Sequence, residues 1–97
     1  MDAAALLDEA LVVVDKLDRL CCEPGRSPRM AELRRTIVEA REASGDPIEV
    51  GELLEQAGAQ VGSLQVGCCA EGRLPLYAEV LAGLARAQLA TGPDMHA

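Results

Sequence analysis

Apolar residues recur along the chain in steps of three and four. Ala3, Leu7, Ala10, Val14, Leu17 and Cys21 form one such series, and Met30, Leu33, Ile37, Ala40 and Ser44 a second. Val50, Leu54, Ala57, Val61, Leu64 and Cys68 form a third, and Tyr77, Val80, Leu84, Ala87 and Thr91 a fourth. That spacing puts each series on one face of an α-helix. The breaks between the series agree with it. Gly25 and Gly72 suit helix C-termini, where a left-handed residue is favoured, and Pro28 and Pro75 suit the first turn of the helix that follows. Ser27 is placed to cap the second helix. Gly45-Asp46-Pro47 supplies a stop, a cap and a first-turn proline, with Asp46 and Glu49 spaced as a capping box. Gly92-Pro93 ends the last series. These signals predict helices near 2–22, 28–44, 47–69 and 75–91.

The third and fourth series restate the first and second at an offset of 47 residues. Residues 21–45 laid over 68–92 give ten identities in 25 positions: both cysteines, Gly25/Gly72, Arg26/Arg73, Pro28/Pro75, Ala31/Ala78, Glu32/Glu79, Ala40/Ala87, Ala43/Ala90 and Gly45/Gly92. The register runs upstream without a gap, with Leu6, Leu7, Ala10, Val14 and Leu17 over Leu53, Leu54, Ala57, Val61 and Leu64. Two repeats, 1–46 and 47–93, with a tail at 94–97, therefore build one four-helix domain. Short loops make successive helices antiparallel neighbours. The expected fold is all-α, an antiparallel up-down four-helix bundle built from two duplicated helical hairpins.

Composition sharpens this picture. One Tyr and no Phe or Trp among 97 residues leave the core to aliphatic side chains and Ala. Ala and Leu favour helix. So small a core is commonly supplemented by a metal, a crosslink or a second subunit. The formal charge of −7 argues against nucleic acid and anionic membrane as partners. The first 17 residues carry no basic leader and are interrupted by Asp8, Glu9 and Asp15, so they read as neither signal peptide nor membrane span. A cytoplasmic location is expected, where thiols are kept reduced.

The four cysteines are the candidate chemistry. Cys21-Cys22 and Cys68-Cys69 sit in the two near copies CCEPGRSP and CCAEGRLP. In the expected topology both copies fall at one end of the bundle. Cys21 and Cys68 continue the core series, whereas Cys22 and Cys69 lie about 100° around the helix from them. Four thiolates suit zinc, copper(I) or an iron–sulfur cluster. Adjacent cysteines on a helix diverge, however, so a four-thiolate site requires the last turn to open. Alternatively Cys21 and Cys68 form a redox disulfide, given Cα atoms within about 7 Å of each other. Arg26 and Arg73 would favour the thiolates there, against the negative end of the helix dipole. A third possibility is that the thiols are simply small core residues. Glu32 and Glu79 are candidate supporting groups, expected to pair with Arg26 and Arg73 or to favour the helix N-termini.

Known enzymatic arrangements find no support. The only His, His96, is in the tail, and neither a Glu-x-x-His di-iron motif nor a glycine-rich phosphate loop occurs. Two further features concern packing. Gly58 and Gly62 in the third helix suggest a close approach to a neighbour, with Leu11, the counterpart of Gly58, filling the space it leaves. A ligand pocket beside that helix is the alternative. The fourth helix replaces Arg29, Arg34 and Glu42 of the second by Leu76, Leu81 and Leu89. Together with Leu74 these give it a second apolar face. The expectation is a partner surface there, most simply a homodimer through the fourth helix. A non-catalytic interaction or assembly module is thus the alternative function.

Overall fold

A computed structural model describes residues 2–20, 27–43, 45–65 and 73–91. Four helices account for nearly all of them: α1 (Ala3–Leu20), α2 (Pro28–Glu42), α3 (Pro47–Gln65) and α4 (Leu74–Thr91). No strand occurs among the described residues.

Each helix start has a local cause. Asp2 caps α1, its carboxylate accepting from the Ala5 N–H at 2.8 Å. The Ser27 hydroxyl accepts from the Met30 N–H at 3.2 Å, and Pro28 occupies the first turn of α2. Asp46 accepts from the N–H groups of Ile48 and Glu49 at 3.1 and 3.3 Å. The expected capping box is only half formed, because the Asp46 N–H donates to the Ala43 carbonyl rather than to Glu49. At α4 no side-chain cap is described, and the Arg73 carbonyl takes the N–H groups of Leu76 and Tyr77. Ser27→Ala removes the acceptor of the Met30 N–H at the start of a 15-residue helix. The expected loss is about 1 kcal/mol of unfolding free energy, read from urea melts of the two proteins.

The helices pack in a ring. α1 lies against α2 and α4, and α3 lies against the same two. The diagonal pairs α1/α3 and α2/α4 do not approach within 8 Å between Cα atoms among the described residues. This arrangement is that of a helical bundle. Across α1 and α2, Arg34 pairs with Asp15 at 2.9 Å and Arg41 pairs with Asp8, so partner numbers rise on one helix as they fall on the other. The bond to Asp8, with the accompanying Coulomb attraction, holds the Arg41 guanidinium above its ordinary pKa. Both pairs are solvent-exposed, so they mark the register of the two helices more than they stabilise it.

Burial follows the four apolar series. Ala3, Leu7, Ala10, Val14 and Leu17 of α1 and Val50, Leu54, Ala57, Val61 and Leu64 of α3 are all buried. So are Met30, Leu33, Ile37 and Ala40 of α2 and Tyr77, Val80, Leu84 and Ala87 of α4. Thr36 and Gly83 are buried as well, at one more matched pair of positions. Among the described residues, every buried position in the second half thus has a buried counterpart 47 residues earlier. Of the described buried residues in the first half, Leu6 lacks a buried match, since Leu53 is half-buried. The Thr36 hydroxyl is satisfied by the Glu32 carbonyl at 3.0 Å, one turn back.

Two expectations change. α2 ends at Glu42, with Ala43 as a C-cap whose N–H bonds to Glu39, short of the expected residue 44. α4 begins at Leu74, placing Pro75 second in the helix. The continuations of α1 through 22 and of α3 through 69 lie outside the described residues.

Candidate functional site

A side chain of the second repeat reaches the end of the bundle where α1 finishes and α4 starts. Arg73 donates from Nη2 to the Leu20 carbonyl at 2.8 Å and from Nε to the same oxygen at 3.3 Å. Leu20 is the last residue of α1, where backbone carbonyls lack intrahelical partners, and a guanidinium suits both those groups and the negative end of the helix dipole. Leu20 directly precedes Cys21 in the chain, and Arg73 follows Gly72. The bond therefore joins two positions that flank the cysteine-bearing stretches, 53 residues apart. Removing it by Arg73→Ala is expected to cost about 1 kcal/mol, as for a hydrogen bond to a charged donor at a half-exposed site. Arg73→Lys, which cannot make the forked contact, is expected to recover only part.

The predicted site residues divide as follows. Cys21, Cys22, Arg26, Cys68 and Cys69 lie outside the described residues, as does His96. Among the described residues no group of three or more His, Cys, Asp or Glu side chains comes together as a metal site. Glu32 and Glu79 are exposed on α2 and α4. Glu79 does not pair with Arg73 among the described residues, since Arg73 is turned to the Leu20 carbonyl. Glu79 instead lines a shallow groove between α1 and α4 together with Glu9, Lys16 and Arg86. Of the leucines expected at an interface, Leu74 and Leu89 are exposed, Leu89 by 84%. Leu76 and Leu81 are half-buried and pack on the core.

The glycines of α3 are not where helices touch. A Cβ built on Gly51, Gly58 or Gly62 meets no heavy atom within 4 Å beyond the local helix. The close approach expected at Gly58 and Gly62 is therefore absent. The close contact is at Gly83 instead, where a Cβ would lie 3.5 Å from the Ala10 Cβ across α1 and α4. Leu11 is half-buried against the core. The recess found on α3 is an open one over Glu52, Glu55, Gln56 and Ala59.

Asp15–Arg34, Asp8–Arg41 and the Arg73–Leu20 bond were not foreseen from the sequence. The ion pairs had a legible signal: the numbers of each opposite-charge pair sum to the same value, as the register of a helical hairpin requires. Arg73 had none, because its acceptor is a backbone carbonyl on a distant helix.

No helix among the described residues is long and apolar enough to cross a membrane. Comparison of the chain with protein-family models, with curated proteins and with solved structures finds no match.

Proposed function

We propose that this chain is a small thiol-site protein. Its two cysteine pairs gather at one end of an antiparallel bundle of two duplicated hairpins. There they bind a soft metal or an iron–sulfur cluster, or pass between dithiol and disulfide, a partner disulfide being reduced to its dithiol as theirs is oxidised and the reverse. The observation that carries this reading is the forked bond from Arg73 to the Leu20 carbonyl. It joins Leu20, which precedes the first cysteine pair in the chain, to Arg73, which follows the second. The coincidence of buried positions at an offset of 47 supports the duplication. Opposed numbering in the Asp15–Arg34 and Asp8–Arg41 pairs supports the antiparallel order. Four thiols at one end provide the donor set that zinc, copper(I) and iron–sulfur clusters prefer. A reducing compartment such as the cytoplasm keeps those thiols available. The role is binding or redox exchange rather than acid–base catalysis, for which the chain offers no convincing pair.

Elemental analysis with a free-thiol count on protein purified without air tests this directly. Bound metal, or fewer than four free thiols, is expected. Four free thiols, no metal and no uptake of zinc or copper(I) in titration would overturn the proposal.

A second reading has its own observation. Leu74 and Leu89 are exposed on α4, by 51% and 84%, in a helix whose only charges are Glu79 and Arg86. We propose α4 as the partner surface of a helical assembly module. That reading expects association to persist when all four cysteines are replaced by serine, which light scattering of the fourfold variant under reductant measures.

A further inference from the structure

The seam between α1 and α2 opens at one end into a small cavity. The buried side chains of Val14 and Met30 meet there, and Asp15, Asp18, Ser27 and Arg34 supply its polar lining. Its volume is about 110 Å³, room for roughly three or four waters at their share of liquid volume. Sites for larger ligands run from about 300 Å³ upward, so what enters here is small. Asp18 stands three residues before Cys21, and Ser27 five after Cys22. The two helices that wall the cavity are therefore joined by the first cysteine stretch.

The charges have a definite sense. Both acids come from the last two turns of α1, with Asp18 beside the negative end of that helix's dipole. The base, Arg34, comes from α2, whose positive N-terminus begins at the Ser27 cap. Side chains and backbone agree: the α1 wall is negative and the α2 wall positive. Arg34 Nε donates to Asp15 Oδ1 at 2.9 Å, and about half of each side chain stays open to solvent. The second repeat holds its own seam without such groups. The counterparts of Asp15, Asp18, Ser27 and Arg34 are Gly62, Gln65, Leu74 and Leu81, none of them charged, and Tyr77 replaces Met30. The shared fold therefore does not require this lining.

We infer that the cavity seats the charged head of a small disulfide with α-amino-acid ends, an inference that rests on the thiol-site reading and takes its disulfide form. The ligand's ammonium meets Asp15 and Asp18. Its carboxylate meets Arg34 and the Ser27 hydroxyl at the start of α2. A purely anionic end faces two acids, and a purely cationic end faces a guanidinium, so the lining selects against both. The chemistry balances in two steps. A thiolate of Cys21 or Cys22 attacks one ligand sulfur, forming a mixed disulfide and releasing half the ligand as a thiolate. A thiolate of Cys68 or Cys69 then attacks the protein sulfur of that bond, forming the protein disulfide and releasing the other half. Two electrons pass from the protein dithiol to the ligand, and the two thiol protons end on the released halves.

The rate at which small disulfides oxidise the thiols tests this. The probes are L-cystine, cationic cystamine, anionic dithiodiglycolate and neutral hydroxyethyl disulfide. Each rate is divided by that of the same chain unfolded in urea, which keeps the thiols and has no cavity. The ratio for cystine is expected to exceed the others roughly tenfold or more, the order that one charge-assisted hydrogen bond supplies. Arg34→Gln and Asp18→Asn are each expected to bring it down toward them. Arg41→Gln breaks the similarly exposed pair with Asp8, away from the cavity, and is expected to leave it unchanged. Circular dichroism checks that the variants fold, and either cavity variant suffices if the other does not. A cystine ratio no higher than the rest overturns this inference and leaves the thiol-site reading standing. So does a cystine preference that survives the cavity variants, or one that Arg41→Gln also removes. A folded chain that none of the four disulfides oxidises overturns it together with the disulfide form of that reading.

Discussion

Leu7→Ala is expected to destabilise the fold by about 3 kcal/mol, and Leu54→Ala by a similar amount, as for buried leucine truncations that leave a cavity. Leu7 is fully buried and Leu54 nearly so, and both belong to the one aliphatic cluster that spans all four helices. They are counterparts at the offset of 47. If the halves are copies, the two losses should agree to within about 2 kcal/mol, the spread among buried leucine truncations. A loss of 3 kcal/mol is large here. A domain of this size has roughly 5–15 kcal/mol in all, and a core with one aromatic residue belongs toward the lower part of that range. The double variant Leu7→Ala/Leu54→Ala is accordingly expected to lose its cooperative melt. Urea unfolding followed by circular dichroism at 222 nm measures all three. A Leu7→Ala cost below about 1 kcal/mol would contradict the single shared core.

The second large effect has the opposite sign. Gly58→Ala and Gly62→Ala together are expected to stabilise the folded chain by about 2 kcal/mol, roughly 1 for each glycine replaced in a helix interior. Part of the gain comes from restricting the unfolded chain. The substitution is sterically free because a Cβ at either position meets nothing within 4 Å. At about 4–8 °C per kcal/mol for a domain of this length, the midpoint should rise by roughly 8–16 °C. Thermal melts of the two proteins followed by circular dichroism at 222 nm measure the shift. A fall in monomer stability on adding the two methyl groups would show that the space over α3 is filled.

Much of the core could be read from spacing alone. The described members of the four series are buried as their periodicity requires, except Thr91, which is half-buried at the end of α4; Cys21, Ser44 and Cys68 lie outside the described residues. Thr36 and Gly83 escaped that reading because one is polar and the other has no side chain, so neither marks an apolar face. Yet both sit beside the buried residues Ile37 and Leu84, at flanks that neighbouring helices cover. The glycines were misleading for a related reason. Gly58 and Gly62 are spaced as a close-packing motif, but spacing does not say whether another helix lies close over that face, and here nothing comes within 4 Å of a Cβ built at either. Gly83, which has no partner glycine, is the one that sits against another helix. Arg73 was legible as a matched residue and as a cation near thiols, and not as a bond to the end of α1. A backbone acceptor 53 residues away leaves no trace in the residue types.

Arg73 matters because the proposal for the thiols depends on which end of the bundle they share. That dependence has a direct test. Mild oxidation of the dilute chain, kept monomeric, should form a disulfide between Cys21 or Cys22 and Cys68 or Cys69. Trypsin then releases Leu20–Arg26 and Glu42–Arg73 as separate peptides, each with one cysteine pair, unless a disulfide joins them. The account predicts the joined peptide as the main product, lost on reduction, with the helical signal of the oxidised chain preserved. Oxidised monomer in which these two peptides are never joined would contradict it.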